Sequence, residues 1–388
     1  MTTPRDLSIF LADLDQSKPF VIIDGRRLTQ HSTGVGRYLN ILLNQWATQS
    51  HRLAFQPIVV KHKRDSVHHS TANWGSNFPE IILGEKQPGW IWENLSLAAK
   101  PFRSLPLFAP ANLIPFRWNG PVLLVIHDTF CELPHSGISR INRLRFRGRY
   151  RRAAHRATSI IVPSQATATD VKQYFQVPDQ RIQIIPPGIP DSFQPLLPQK
   201  SLSEIQSNFK FHRPYVLFVG KKSGRRNFDN ILDAVQKLNQ QGHEIDLISV
   251  GPSSGKFPKM QFWNDLGYVS DMELISLYQK ALALIWPSQV EGFGLPVAEA
   301  MATGCPVITT PTGAIQEVTG NCCIGLKSNN PNDMFEAILT LKNQPEQRKK
   351  LIEDGHNRIQ SRFSVESFAQ SVSHVLMKMI QESSHHRL

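Results

Sequence analysis

The chain has 388 residues, of which 40% are hydrophobic and 19% charged. That composition supplies large cores and excludes disordered and fibrous classes, and at roughly 150 residues per domain the length predicts two to three domains. Lys and Arg number 43 against 31 Asp and Glu, a net charge of +12. The excess favours a phosphate-bearing partner, whether nucleotide, nucleic acid or anionic membrane, without choosing among them.

The N-terminus carries Asp6, Asp13 and Asp15 and lacks the apolar core of a signal peptide. Short apolar strands then alternate with amphipathic helices, the rhythm of parallel sheets in α/β domains. Phe20–Ile23 is the first predicted strand. A glycine-bearing loop follows over His31–Gly36, then a helix with Tyr38, Ile41, Leu42 and Trp46 at helical spacing. The uncharged stretch 104–116 holds three prolines and reads as a loop. Val122–Ile126 is a strand running into His127-Asp128, Ser159–Ile161 with Val162 is another, and Ser164 is a helix cap. Arg181–Ile185 closes the series. Prolines from Pro186 to Pro198 predict a linker over 186–203.

A second series opens at Tyr215–Gly220. Its helix carries Ile231, Leu232, Val235 and Leu238, with Gly242 at its end, and Ile245–Val250 is the next strand. Ser270 to Glu273 is a capping box, Ala281–Trp286 a strand, and Pro306–Ile308 begins another. The expected organisation is an N-terminal domain over 1–195 and a C-terminal domain over 204–363. The helical tail 364–388 could pack on either half.

Cys131, Cys305, Cys322 and Cys323 form no C-x-x-C pair and are too few for a disulfide scaffold. They read as reduced thiols of a cytosolic protein, and no apolar run approaches the roughly 20 residues needed to cross a bilayer. Gly34-Val35-Gly36 lacks the third glycine and the acidic strand end of a dinucleotide fingerprint. The segment 251–257 is one residue short of a phosphate-binding loop and has Phe257 at the Ser/Thr position. Asp13-Leu14-Asp15 precedes the first strand and reads as surface, and His135, His155 and His385-His386 show no metal-ligand context. No metal or cofactor is expected. The segment Arg140–Arg156 holds eight arginines, with Arg145, Arg149, Arg152 and Arg156 on one helical face. It is read as a solvated face or as a peripheral contact with the inner face of a membrane, and not as a nucleic-acid module.

The most informative stretch is Pro287–Met301. After the strand ending at Trp286, Gly292 and Gly294 allow close backbone approach, and a helix is expected from Pro296 to near Gly304. Its first amides would face the crevice beyond the strand's carboxyl end, where open α/β sheets bind ligands and the helix dipole favours anions. Glu291 in the loop and Glu299 in the helix suit hydroxyl groups, because a carboxylate only accepts hydrogen bonds.

Glu291 and Glu299, with the glycines between them, resemble the E-x7-E signature of retaining GT4-type glycosyltransferases, which use nucleotide-sugar donors and have the GT-B fold. The resemblance covers nearly the whole chain. Thr33–Tyr38 resembles the family's glycine loop, Val125–Asp128 its His-Asp strand end, Ile185–Gly188 its interdomain turn, and Gly267–Asp271 the stretch before the signature. It implies two Rossmann-like domains facing each other across a cleft. The donor would lie mainly on the second and the acceptor, a glycan or lipid-linked saccharide, near Gly34–Tyr38 and His127. It also implies that Glu291, Gly292, Phe293, Gly294 and Leu295 hold the donor sugar, Glu299 the ribose, and Lys221, Arg226, Gly34 and Gly36 the diphosphate, with His127 facing the sugar. Arg226 stands where the family usually has Lys. A likeness to mannosyltransferase-type members points to GDP-mannose, with a UDP-sugar as the other donor class. Another GT-B enzyme, such as a phosphorylase or nucleotide-sugar epimerase, and a non-catalytic sugar-nucleotide-binding protein stay open.

Overall fold

The structure is a computed structural model describing residues 4–14, 16–29, 34–62, 73–84, 87–133, 139–193, 211–253 and 257–385. His31, Ser32, Thr33, Asp15, His135, His386, segment 254–256 and the linker portion 194–203 lie outside the described residues.

The chain divides into two compact units, the first comprising Met1–Glu132, Ser139–Gly188 and Val365–Leu388. Its strands are β1 (Phe20–Asp24), β2 (Gln56–His62), β3 (Glu80–Leu83), β4 (Leu107–Ala109), β5 (Val122–Val125), β6 (Ser159–Val162) and β7 (Ile182–Ile184). They form one parallel sheet in the order β3-β2-β1-β4-β5-β6-β7. Its labelled helices are α1 (Pro4–Ala12), α2 (Gly34–Thr48), α3 (Arg140–Arg156) and α4 (Gln165–Phe175). The inner strands β1, β4, β5 and β6 are nearly continuously apolar and buried because helices cover both faces. Ile22, Val60 and Leu124 enter one core, while Val21, Ile23, Leu123 and Val125 enter the other. Ser164 caps α4 as expected, accepting from the Thr167 amide at 3.1 Å.

Two expectations change here. Leu107–Ala109, inside the stretch read as a loop, is a fully buried strand beside β1. Its prolines, Pro106 and Pro110, flank the strand and so remove no ladder hydrogen bond from it. Gly34 and Gly36, expected in a loop, already lie in the first turn of α2.

The C-terminal helix Val365–His385 belongs to the first unit. Phe368, Val372, Leu376 and Met379 recur at helical spacing and fill the core with Tyr38, Leu42 and Trp46 of α2. The Trp46 indole donates to Ser373 Oγ at 2.8 Å. The chain enters the long segment of the second unit after Gly188 and leaves it at Ser364, and the two ends of that segment pair, Ile189 N donating to Phe363 O at 2.9 Å.

The second unit contains β8 (Tyr215–Val219), β9 (Asp246–Val250), β10 (Trp263–Gly267), β11 (Ala283–Trp286), β12 (Val307–Thr309) and β13 (Ile324–Gly325), all parallel in the order β10-β9-β8-β11-β12-β13. Its helices are α5 (Phe228–Gln240), α6 (Asp271–Lys280), α7 (Leu295–Ala302), α8 (Gly313–Thr319), α9 (Pro331–Asn343) and α10 (Pro345–Arg362). Ser270 and Glu273 form the expected capping box on α6. The strand order reverses between β8 and β11, distant in sequence but neighbours in the sheet. The loops after their carboxyl ends therefore open into one crevice, the topological switch point where such sheets bind ligands.

Candidate active site

Both loops at this switch point carry the charged residues singled out in the sequence. After β8, Gly220 turns with φ 141°. A Cβ there would collide with Arg226 Nη1 and lie 3.1 Å from the Trp286 ring. Glycine thus lets the Arg226 guanidinium lie over Trp286, 4.6 Å from the ring centroid. Trp286 ends β11 and is itself stacked on Phe218 at 5.5 Å. Arg226 Nε donates to Glu291 Oε1 at 3.4 Å, and Arg225 Nη2 lies 3.7 Å from the same oxygen. Ser288 Oγ donates to it at 2.8 Å. Two further bonds tie the loops together: Arg225 Nη1 to Val290 O at 3.3 Å and Asn227 Nδ2 to Pro287 O at 2.6 Å. Asn227 holds a left-handed conformation, φ 49°, which asparagine tolerates better than most residues.

Lys221 is exposed at the same strand end, whereas Lys222 is fully buried and donates to Gly251 O at 2.6 Å and Asp265 Oδ1 at 2.8 Å. Of the two adjacent lysines, Lys222 is structural and Lys221 is presented to solvent.

α7 begins at Leu295, one residue before the predicted Pro296, and stops short of Gly304. Gly294 caps it with φ 92°, where a Cβ would meet Ile315. Val297 N and Ala298 N donate to Gly294 O at 2.9 and 3.2 Å, and among the described residues no backbone carbonyl takes the amides of Phe293, Gly294 or Leu295. The Phe293 ring packs inward on Phe363 at 5.3 Å, so its backbone is what it offers to the crevice. Glu299 is buried within α7, and the Tyr278 hydroxyl donates to its Oε2 at 3.3 Å.

Arg226 and Glu291 are thus brought together, with Lys221 and the α7 amides at the same switch point. Gly34, Gly36 and His127 lie in the first unit. Sequence reasoning missed Arg225, Ser288, Trp286 and Tyr278. Arg225 was visible as a second cation beside Arg226. Ser288 and Trp286 needed the β8–β11 adjacency, and Tyr278 needed the packing of α6 on α7.

In the first unit, β5 delivers His127 to the carboxyl edge of the sheet. Its amide donates to Asn112 Oδ1 at 2.9 Å, and its ring lies edge-on to Tyr38 at 5.0 Å. Nε2 is 2.7 Å from Pro110 O. A carbonyl can only accept, so Nε2 carries the proton and Nδ1 of the neutral ring is an acceptor. Desolvation lowers the His127 pKa to about 4 despite the Pro110 bond. Because the folded value lies below the unfolded one, the unfolded chain binds more protons as pH falls from about 6.5 toward 4, and stability is lost over that window. His127→Gln is expected to flatten the acid limb of a denaturation-midpoint profile, by roughly 1–3 kcal/mol across the window. An unchanged acid limb would remove His127 from that role.

Two parallel sheets, each covered by helices, with a charged switch point on the second, are the architecture of the GT-B fold. Residues 32–193 match the model "Glycosyltransferase Family 4", and residues 200–358 match "Glycosyl transferases group 1". The chain belongs to the GT4-type glycosyltransferases. It is 30% identical over 196 residues to the O-antigen chain mannosyltransferase B of Escherichia coli, covering 46% of this chain and 49% of that protein. It is 26% identical over 244 residues to the MMP alpha-(1->4)-mannosyltransferase of Mycolicibacterium hassiacum, covering 59% of this chain and 56% of that one. The chain spans about half the length of these curated relatives. Its fold is similar to that of the Anabaena protein HepE solved with UDP and glucose, at TM-score 0.69 and 16% identity over 93% of this chain and 99% of that one.

Proposed function

We propose that this protein transfers a hexosyl group from a nucleoside-diphosphate sugar to an acceptor hydroxyl, with the second unit binding the donor. The observation that carries the reading is the placement of Arg225, Arg226 and Glu291 across the β8–β11 switch point, with the α7 amides beside them. Breaking the bond between the anomeric carbon and the diphosphate puts positive charge on the sugar and negative charge on the leaving phosphate. Arg226, Arg225 and Lys221 supply fixed positive charge for the phosphate, and Glu291 supplies an acceptor for sugar hydroxyls. Glu299 is proposed to hold the ribose. His127, neutral and with Nδ1 as acceptor, is suited to take a hydrogen bond from a substrate hydroxyl.

The two mannosyltransferase relatives support a mannosyl donor, for which GDP-mannose is proposed, and the UDP and glucose held by HepE keep UDP-glucose as the comparison. A glycan or lipid-linked saccharide is the proposed acceptor, and retention of configuration is proposed from the family. The test is a thermal-shift panel of GDP- and UDP-sugars, followed by product analysis with the stabilising donor. A ligand at 100 times its dissociation constant adds about 2.7 kcal/mol. Absence of a shift with every nucleotide sugar would sink the reading. Stabilisation with only phosphorolysis, epimerisation or no turnover would favour the alternatives.

Because guanidinium and ammonium groups supply the charge compensation, turnover is expected to stay within about twofold on chelation with EDTA. Loss of activity on chelation, restored by manganese or magnesium, would show that the cationic side chains do not suffice.

A further inference from the structure

Asn112 lies in the turn Pro110-Ala111-Asn112 that follows β4, and all three residues are buried. The β4–β5 ladder ends where Ala109 meets Leu124, and Pro110 has no amide to extend it. Asn112 continues the contact by other means. Its own amide donates to Val125 O at 3.1 Å, and its Oδ1 accepts from His127 N at 2.9 Å. Ile126, between those two partners, is held from the other side, its amide donating to Ile161 O at 2.9 Å. In the same turn Pro110 O accepts from His127 Nε2 at 2.7 Å. The backbone and the ring of His127 are thus both bonded within one stretch of three residues.

Asparagine suits this position twice over. The backbone is left-handed, φ 60°, a conformation that asparagine adopts more readily than most residues. The side chain is only 7% exposed, and besides His127 it hydrogen-bonds the Tyr150 hydroxyl of α3. α3 is itself anchored. Arg147 pairs with Glu132 at 2.6 Å, Arg149 pairs with Glu93 at 3.0 Å, and the Arg152 guanidinium carbon lies 3.2 Å from the Phe116 ring centroid. The arginine face expected to be solvated is therefore engaged at Arg149 and Arg152. Through Tyr150 that anchoring reaches the carboxamide, and the carboxamide hands it to His127.

We propose that Asn112 is a positioning residue for glycosyl transfer, its carboxamide fixing the His127 backbone so that Nε2 stays on Pro110 O and Nδ1 is presented as an acceptor; this rests on the role proposed above for His127 toward a substrate hydroxyl. Asn112 acts through His127 and makes no contact with substrate. Without the carboxamide the His127 amide has no acceptor inside the sheet, and the ring is free to leave Pro110. A neutral imidazole released from that carbonyl exchanges its proton between the two nitrogens, and the acceptor is then presented only part of the time. A residue that merely stabilised the turn would cost stability and leave the tautomer alone.

Asn112→Gly deletes the carboxamide and keeps a residue at ease in the left-handed backbone. In the full chain with isotope-labelled histidine rings, the His127 signal is identified by its loss in His127→Gln. It should report the Nε2–H tautomer in the parent and a mixture of tautomers in Asn112→Gly. Turnover of whichever of GDP-mannose and UDP-glucose stabilises the protein should fall roughly tenfold or more, with affinity for the bare nucleoside diphosphate unchanged. Asn112→Asp, which keeps an oxygen for the His127 amide, should hold the tautomer and recover turnover to within about threefold of the parent. The double variant Asn112→Gly/His127→Gln should turn over no more slowly than His127→Gln alone, because the two residues act as one unit. Val171→Ala, at a buried position of α4, should lower the denaturation midpoint and leave tautomer and turnover as in the parent. A single unchanged tautomer in Asn112→Gly, full turnover in that variant beside an impaired His127→Gln, additive losses in the double variant, or the same tautomer change in Val171→Ala would each overturn the proposal. Unchanged turnover in His127→Gln would be a different failure, that of the role proposed for His127, and would overturn the positioning role with it.

Discussion

Arg226→Ala lowers turnover on the order of 10²-fold or more, because it removes a positive group aimed at the charge that develops on the leaving diphosphate. It also weakens free nucleoside diphosphate by roughly ten- to a hundredfold, as expected for a lost hydrogen bond between charged groups. The structure gives the loss a definite origin. Arg226 is held over Trp286, with space made by Gly220, and its Nε meets Glu291 at 3.4 Å. Such a guanidinium loses little freedom when a phosphate arrives. Arg226→Lys keeps the charge but not the planar contact with Trp286, and is expected to recover turnover to within roughly tenfold of the parent. Steady-state kinetics with the donor and calorimetry with the bare diphosphate separate the two effects. Unchanged diphosphate affinity in Arg226→Ala would withdraw the residue from the phosphate site.

The readable parts of the fold were those whose signal is local. β5 and β8 are uninterrupted apolar runs because both faces of their sheets are covered, so length and composition suffice to find them. The capping box at Ser270 is written within four residues. β4 escaped because three residues between prolines carry no periodicity, and only pairing with β1 and β5 makes them a strand. The C-terminal helix shows an apolar stripe in the sequence, but a stripe says that a helix packs and not on what. Its partner, α2, lies more than 300 residues away, as the separation of 327 between Trp46 and Ser373 shows.

The same division runs through the site. The string from Glu291 to Glu299 is legible because glycines, proline and carboxylates sit at fixed offsets around one strand–helix turn. The pairing of Glu291 with Arg225 and Arg226 bridges 66 and 65 positions and exists only because the sheet order makes β8 and β11 neighbours. No spacing rule contains that information. Reading Lys221 and Arg226 as one phosphate cluster and Glu291 as a separate sugar contact therefore missed the direct pairing of Arg226 with Glu291.

That coupling sharpens what the two glutamates should do when changed. The Glu291 carboxylate accepts from Ser288 at 2.8 Å and from Arg226 at 3.4 Å, so it partly neutralises the cations a diphosphate would use. Glu291→Gln keeps the shape and an acceptor for Ser288 but removes the charge. Bare nucleoside diphosphate should then bind as well as before or more tightly, while kcat with the full donor falls on the order of 10²-fold, since sugar contacts change in the transition state. Glu299 sits differently, buried in α7 with the Tyr278 hydroxyl at 3.3 Å and remote from the reacting bond in its proposed role. Glu299→Gln should weaken donor and bare diphosphate alike by roughly tenfold, a uniform binding effect with a smaller change in kcat. The pairing also predicts that Arg226→Ala and Glu291→Gln do not add in diphosphate affinity, with a coupling of roughly 0.5–3 kcal/mol. Calorimetry on the two single variants and the double variant measures it. If Glu291→Gln loses diphosphate affinity while Glu299→Gln keeps it, the roles of the two carboxylates are the reverse of those proposed.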